Sequence, residues 1–246
     1  MIVLFTDFGV TGPYVGQMKS VLCQRAPTTP LIDLMHDAPS FDPQAAAYLL
    51  SALVSQFPRD SVFLCVVDPG VGSQRKPLIA RISERWFVGP DNGLLDIVAQ
   101  HALGIGEIKW WEIGWQPAQL SSSFHGRDLF APVAAMLANG DAPPGRLLDI
   151  SAERIRRWPS DLEKIIYIDH FGNAMTGIRA ANLDNHQTIA VADKRLCWAR
   201  TFSDVALGQG FWYENSNGLV ELAVNQGRAD EMLRINIGDA ATPLAC

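Results

Sequence analysis

The chain has 246 residues, 48% apolar and 19% charged, with a formal net charge of −6. That length buries a real core in one large domain or two modest ones, and the composition excludes a disordered chain. The acidic balance, without a dense Lys/Arg run, excludes global attraction to nucleic acid or an anionic membrane.

The start turns polar at Thr6, too early for the apolar stretch of a signal peptide. No apolar run nears the roughly 20 residues of a membrane span. Ile2 to Phe5 reads as a strand and Tyr14 to Cys23 as a helix. Leu31 to Leu34 is a short strand, and Pro43 to Gln56 is a helix with Ala45, Leu49, Leu50 and Leu53 on one face. Val62 to Val67 is almost wholly apolar, as a central parallel strand is. Leu78 to Arg81 and Arg85 to Val88 read as paired strands, Leu94 to Ala102 and Asp128 to Leu137 as helices. This alternation predicts a three-layer α/β domain on a mostly parallel sheet, residues 1–153.

Residues 154–162, around Trp158-Pro159, read as a linker. Beyond it, residues 163–246 carry short strand-like runs between turn residues: Lys164 to Asp169, Gln187 to Val191, Gly210 to Tyr213, Leu219 to Ala223 and Met232 to Ile237. That spacing predicts an all-β domain, a barrel or a sandwich. Cys23, Cys65, Cys197 and Cys246 form no close pair, so neither a zinc knuckle nor a CxxC motif is present. Cys65 reads as a buried thiol, and the cysteine usage predicts a cytoplasmic protein.

Asp7 follows the first strand, at the end where α/β sheets bind ligands. Its oxygens suit a ribose diol, although a turn or helix-cap role fits the same position. Asp68 ends the Val62–Val67 run and opens a Pro/Gly turn that leads to Arg75. The two either form a structural ion pair or share a ligand site with Asp7. His125 lies at a helix start, where it can orient a water or carry a proton, or serve only as a surface residue. Asp128 reads as the cap of the following helix. Pro90 to Gly93, Asp169 to Asn173 and Asn215 to Gly218 read first as turns. Neither GxGxxG nor GxxxxGK occurs, and His36, His101, His170 and Asp33 have no ligand spacing, so no metal is assigned.

Taken together the motifs are more specific. Thr6-Asp-Phe-Gly9 with Tyr14 to Lys19, Val67 to Ser73 with Arg75, Pro90-Asp-Asn-Gly93, Phe124-His-Gly-Arg-Asp128, Asp169 with Phe171-Gly-Asn173, and Asn215-Ser216 occur in order along residues 2 to about 230. In this the chain resembles the S-adenosyl-L-methionine (SAM) hydroxide adenosyltransferases, the SAM hydrolases related to the SAM-dependent fluorinase and chlorinase. The resemblance implies an N-terminal α/β domain and a C-terminal β-barrel. It implies a homotrimer with active sites between subunits. It also implies hydrolysis of SAM to adenosine and L-methionine, with SAM as substrate and no cofactor. Asp68, Arg75 and His125 match the trio that positions the attacking water. Asp7 matches the ribose-binding aspartate. Phe8, Ser123, Asp169, Asn173 and Ser216 complete the implied substrate set. Three positions depart from the pattern: Ser123 replaces a usual Thr, Gly177 a usual Asn, and Asn217 an Arg found in some halogenating relatives.

Such residues suit the reaction. Attack of hydroxide on C5′ of a sulfonium neutralises charge, and the thioether leaves without needing an acid. Holding the water in line with the C5′–S bond is the main task. Three alternatives stand beside hydrolysis: SAM halogenation, non-catalytic SAM or nucleoside binding, and metal-dependent hydrolysis. A carboxylate at Asp68 argues against a halide there, because it repels an anion.

Overall fold

The computed structural model describes residues 1–244, so Cys246 lies outside the described residues. The chain divides into two compact units, with the break between Ser160 and Asp161.

The first unit follows the predicted alternation. In order come β1 (Ile2–Thr6), α1 (Tyr14–Arg25), β2 (Leu31–Met35), α2 (Pro43–Leu53), β3 (Val62–Val66), β4 (Pro77–Ile82), β5 (Arg85–Pro90) and α3 (Asp96–Ala102). Then follow β6 (Ile108–Ile113), α4 (Ala131–Ala138), β7 (Gly145–Leu148) and the short α5 (Ala152–Ile155). The seven strands form one sheet in the order β2-β1-β3-β5-β4-β6-β7. The β2-β1-β3-β5 side is parallel, and β5-β4-β6-β7 is antiparallel. The sheet is therefore mixed rather than mostly parallel. The two strands that the sequence did not reveal, β6 and β7, extend its antiparallel side.

Alternation along the central strands buries both faces. Ile2, Leu4, Val62 and Leu64 share a core with Met18 and Leu22 of α1 and with α4. The intervening Val3, Phe5, Phe63 and Cys65 are fully buried as well. α2 begins on a capped N-terminus, where Asp42 Oδ1 accepts the Ala45 N–H at 3.0 Å and Pro43 takes the first turn. In the segment read as a linker, Arg154 and Arg157 pair with the buried Asp96 at 2.8 and 2.9 Å.

The second unit is all-β apart from short helical turns. One sheet runs β12 (Gly210–Glu214), β13 (Leu219–Val224), β9 (Ala174–Arg179), β8 (Leu162–Ile168). The other runs β11 (Lys194–Leu196), β10 (Thr188–Val191), β14 (Ala241–Leu244). Trp212, Val220, Leu222 and Val224 fill the core between them. The predicted strand Met232 to Ile237 is not one. Ala229–Leu233 is a helix, α6, and Arg234 closes it at φ 57° in the left-handed region. The apolar alternation of Met232, Leu233 and Ile235 is that of a helix end and its exit, since Leu233 and Ile235 both reach the core.

At Gly177 the departure from the family pattern has a packing reason. A Cβ there meets Leu162 Cβ at 2.6 Å and Leu162 O at 2.9 Å, so no larger side chain fits between β8 and β9.

Candidate active site

β1 and β3 pair in parallel register from Ile2↔Val62 to Thr6↔Val66. Asp7 and Asp68 therefore leave adjacent strand ends on one rim. Asn92 braces this rim: its Nδ2 donates to Val67 O at 2.8 Å, and its Oδ1 accepts the Leu94 N–H at 3.2 Å. The sequence reads Pro90 to Gly93 first as a turn whose side chains can line this rim, but gives no partner for Asn92. The loop after Asp68 folds back tightly, and Gly72 permits it. Its φ is +79°, and a Cβ would lie 2.6 Å from Ser122 O.

Arg75 returns from that loop to Asp68. Its Nε donates to both carboxylate oxygens at 3.0 Å, and Nη2 donates to Oδ2 at 2.5 Å. Both side chains are nearly buried, 9% and 4% exposed. Arg75 Nη2 also donates to His125 Nδ1 at 2.9 Å, and its guanidinium lies 5.3 Å from the Phe130 ring centre. A guanidinium only donates. His125 Nδ1 must therefore accept, which leaves the ring neutral with its proton on Nε2. Burial first, and the Arg75 charge second, hold the His125 pKa below its ordinary 6.5.

His125 precedes a single π-helical turn, Gly126–Phe130, that runs into α4. Such turns recur at functional sites. Asp128 lies inside this turn and is not the expected cap. It accepts the Ser121 N–H at 2.9 Å and pairs with Arg127 Nε at 2.6 Å, which ties down the loop before His125.

Phe8, Ser123, Asp68 and His125 line one cavity of about 430 Å³. Phe8, Tyr14 and Phe124 form an aromatic wall, with centroids 5.4 to 5.9 Å apart. Asp7 stands at the rim, where its Oδ2 accepts the Phe41 N–H at 3.3 Å. Burial raises its pKa above the usual carboxylate value, and the Asp68 charge adds to this.

The second unit has its own, larger cavity of about 790 Å³, lined by Asp169, Asn173, Tyr213, Asn215, Ser216 and Glu221 among others. Both hairpin turns read from the sequence are present, and both face it. Asp169 closes the first turn, its Oδ1 accepting the Phe171 and Asn173 N–H groups at 2.9 and 2.8 Å. Asn173 Nδ2 donates to Asp169 Oδ2 at 3.2 Å. Ser216 projects from the second turn and is exposed. Tyr213 and Glu221 were not singled out from the sequence, and Asn215 stood out there as part of its turn and of the Asn215-Ser216 motif. Glu221 carried a readable signal, as the one charged residue in the otherwise apolar run Leu219 to Val224.

Among the described residues, no group of three or more His, Cys, Asp or Glu is placed to hold a metal ion, and no helix is long and apolar enough to cross a membrane.

Comparison with known proteins agrees with the motifs. The model of the SAM hydroxide adenosyltransferase N-terminal domain matches residues 2–146, and that of the C-terminal domain matches residues 163–242. A Thermus thermophilus protein named (R)-S-adenosyl-L-methionine hydrolase is 37% identical, over 96% of each chain. A fluorinase from Nocardia brasiliensis is 24% identical, over 92% of this chain and 90% of its own. The crystal structure of an uncharacterized conserved protein from Thermotoga maritima superposes with a TM-score of 0.87 at 31% identity, covering both chains fully.

Proposed function

Because this chain belongs to the SAM hydroxide adenosyltransferase family, we infer that it is an enzyme hydrolysing (R)-S-adenosyl-L-methionine to adenosine and L-methionine. The R form is taken from the names of its relatives. One observation carries the mechanism: Arg75, nearly buried with Asp68, bridges Asp68 and His125.

In this reading a water lies in the N-terminal cavity in line with the C5′–S bond. His125 Nε2–H donates to its oxygen. Because Nδ1 already accepts from Arg75, His125 orients the water and does not deprotonate it. Asp68 keeps acceptor capacity beside its bonds to Arg75 and draws the proton as the C5′–O bond forms. The C5′–S electron pair returns to sulfur, methionine leaves as a neutral thioether, and the proton passes to solvent. Arg75 steadies the developing hydroxide charge. Asp7 and Phe8 hold the ribose side, with Ser123 beside them. Asp169, Asn173 and Ser216 hold the methionine and nucleoside groups. SAM is the substrate, no cofactor is called for, and the proposed setting is the cytosol.

The homotrimer belongs to this reading, and sedimentation at several protein concentrations tests it. So does the barrel. Support for closure comes from both sheet edges of the second unit. Ile165 N–H donates to Asp239 O at 2.9 Å, and Trp212 N–H donates to Cys197 O at 3.0 Å. Slow amide exchange at Ile165 and Trp212 is expected, and free exchange at either overturns closure.

The decisive experiment is turnover of SAM in ¹⁸O-water. Label in the adenosine 5′-hydroxyl is expected. A 5′-halogenated nucleoside formed in halide buffer, or unlabelled adenosine, overturns the reading.

A further inference from the structure

β13 presents two faces. Val220, Leu222 and Val224 point into the core of the second unit. The alternate residues Leu219, Glu221 and Ala223 point the other way, where Ala223 packs with Phe211, and Phe202 and Tyr213 lie beside them. Glu221 thus lies on the cavity side of a central strand, only 2% exposed. A carboxylate in that place needs partners, and it has two. Tyr213 Oη–H donates to Oε1 at 2.5 Å, and Asn215 Nδ2 donates to Oε2 at 2.7 Å.

Asn215 is already committed at its other end. Its Oδ1 accepts the Asn217 N–H at 2.9 Å and the Leu219 N–H at 3.0 Å, so the amide cannot turn over without losing both. Asn215 Nδ2 must face Glu221. The Tyr213 hydroxyl, spending its proton on Oε1, turns only its lone pairs elsewhere. Backbone bonds close the Asn215–Gly218 turn, with Ser216 at its tip, and the buried carboxylate fixes its Asn215 amide.

We propose that Glu221 is a positioning residue of the C-terminal cavity, holding the Asn215 amide and the Tyr213 hydroxyl in the orientation that receives the substrate. This rests on the hydrolase reading for the identity of the ligand, but the geometry of the turn does not. Glu221 touches no reacting atom, so its effect falls on binding.

Glu221→Gln tests this without changing shape. The amide still accepts from Asn215, but it offers Tyr213 a donor instead of an acceptor. Tyr213 must then reverse its hydroxyl and aim its proton toward the cavity. Two quantities are measured on the full-length protein: steady-state SAM turnover, and binding of adenosine and of L-methionine by calorimetry. The expected result is a rise in KM and a matching rise in the Kd of at least one of the two products, each about tenfold, with kcat changing far less and the thermal midpoint close to wild type. Unchanged KM and Kd in folded Glu221→Gln overturn the proposal. If that variant does not fold, Tyr213→Phe decides: it removes one of the two bonds, should raise KM and Kd several-fold, and overturns the proposal if it leaves both unchanged. Failure of the hydrolase reading looks different. Wild-type protein then produces no adenosine, while binding of adenosine and L-methionine still judges Glu221.

Discussion

In the N-terminal unit the candidate side chains leave the ends of parallel strands and meet as charges, Asp68 against Arg75 and Arg75 against the ring of His125. In the C-terminal unit they sit in hairpin turns and are held by neutral donors, Asp169 by backbone N–H groups and Glu221 by a phenol and an amide. The difference separates two tasks. An ion pair that is nearly buried fixes where a charge stands, which suits control of a reacting water. A turn closed by neutral hydrogen bonds fixes shape, which suits holding a substrate. If the contrast is real, damage to the first unit lowers kcat, and damage to the second raises KM.

The largest expected effect follows from Asp68→Asn. The side chain keeps its volume but loses the charge that Arg75 faces and the capacity to draw a proton. A fall in kcat of about a hundredfold to ten-thousandfold is expected, with KM changing far less. A variant that instead raises KM and keeps kcat removes the division between the units.

Next comes pH. The His125 pKa is lowered, by burial first and Arg75 second, so the ring stays neutral through neutral pH and acquires a second proton only below 6.5. That proton must go to Nδ1 and displace the Arg75 bond. The expected profile of kcat/KM is flat near neutrality and falls toward acid by about tenfold per pH unit once the His125 pKa is passed. His125→Gln should erase this limb as well as lower the plateau. An acid limb that persists in that variant assigns the titration to another group.

Asp7 gives a smaller effect, and of the other kind, although it belongs to the first unit. It stands at the rim and outside the Arg75 row, where its carboxylate accepts the Phe41 N–H at 3.3 Å. Asp7→Asn should raise KM roughly tenfold, the loss of one charged hydrogen-bond acceptor for a diol, and alter kcat little. A kcat collapse there would draw Asp7 into the reacting group.

Much of the first unit was legible because strand ends are. The apolar run before Asp68, the seven-residue return to Arg75 and the helix start at His125 set out positions that the parallel β1–β3 register then brings to one rim. The sequence also offered the pairing of Arg75 with Asp68; what it lacked was a partner for His125 and for Asn92. The His125 tautomer depends on an arginine fifty residues away, and Asn92 acts through a carbonyl of another strand. The second unit was legible as turns but not as a cavity. Its one internal signal, a glutamate in an apolar strand, has meaning only when Tyr213 and Asn215 are brought beside it by the hairpin. Met232 to Ile237 misled because a helix of five residues and its left-handed exit imitate alternation. The edge strand β7 has four residues, three of them exposed, and so no pattern to detect.

The mildest prediction asks whether the two faces of β13 are separable. Thr176 of β9 is fully buried, and its hydroxyl donates to Val220 O at 2.8 Å and accepts the Ile178 N–H at 3.3 Å. Thr176→Val keeps the shape and leaves both backbone groups without that partner, at a cost of about 1–3 kcal/mol. Val220 belongs to the core face, whereas its neighbour Glu221 faces the cavity. The urea midpoint should fall while kcat and KM hold. A rise in KM resembling that of Glu221→Gln would mean that a disturbance of the core side reaches the Asn215 turn through the strand. Binding in this unit would then depend on the rigidity of the whole sheet and not on Glu221 as a local anchor.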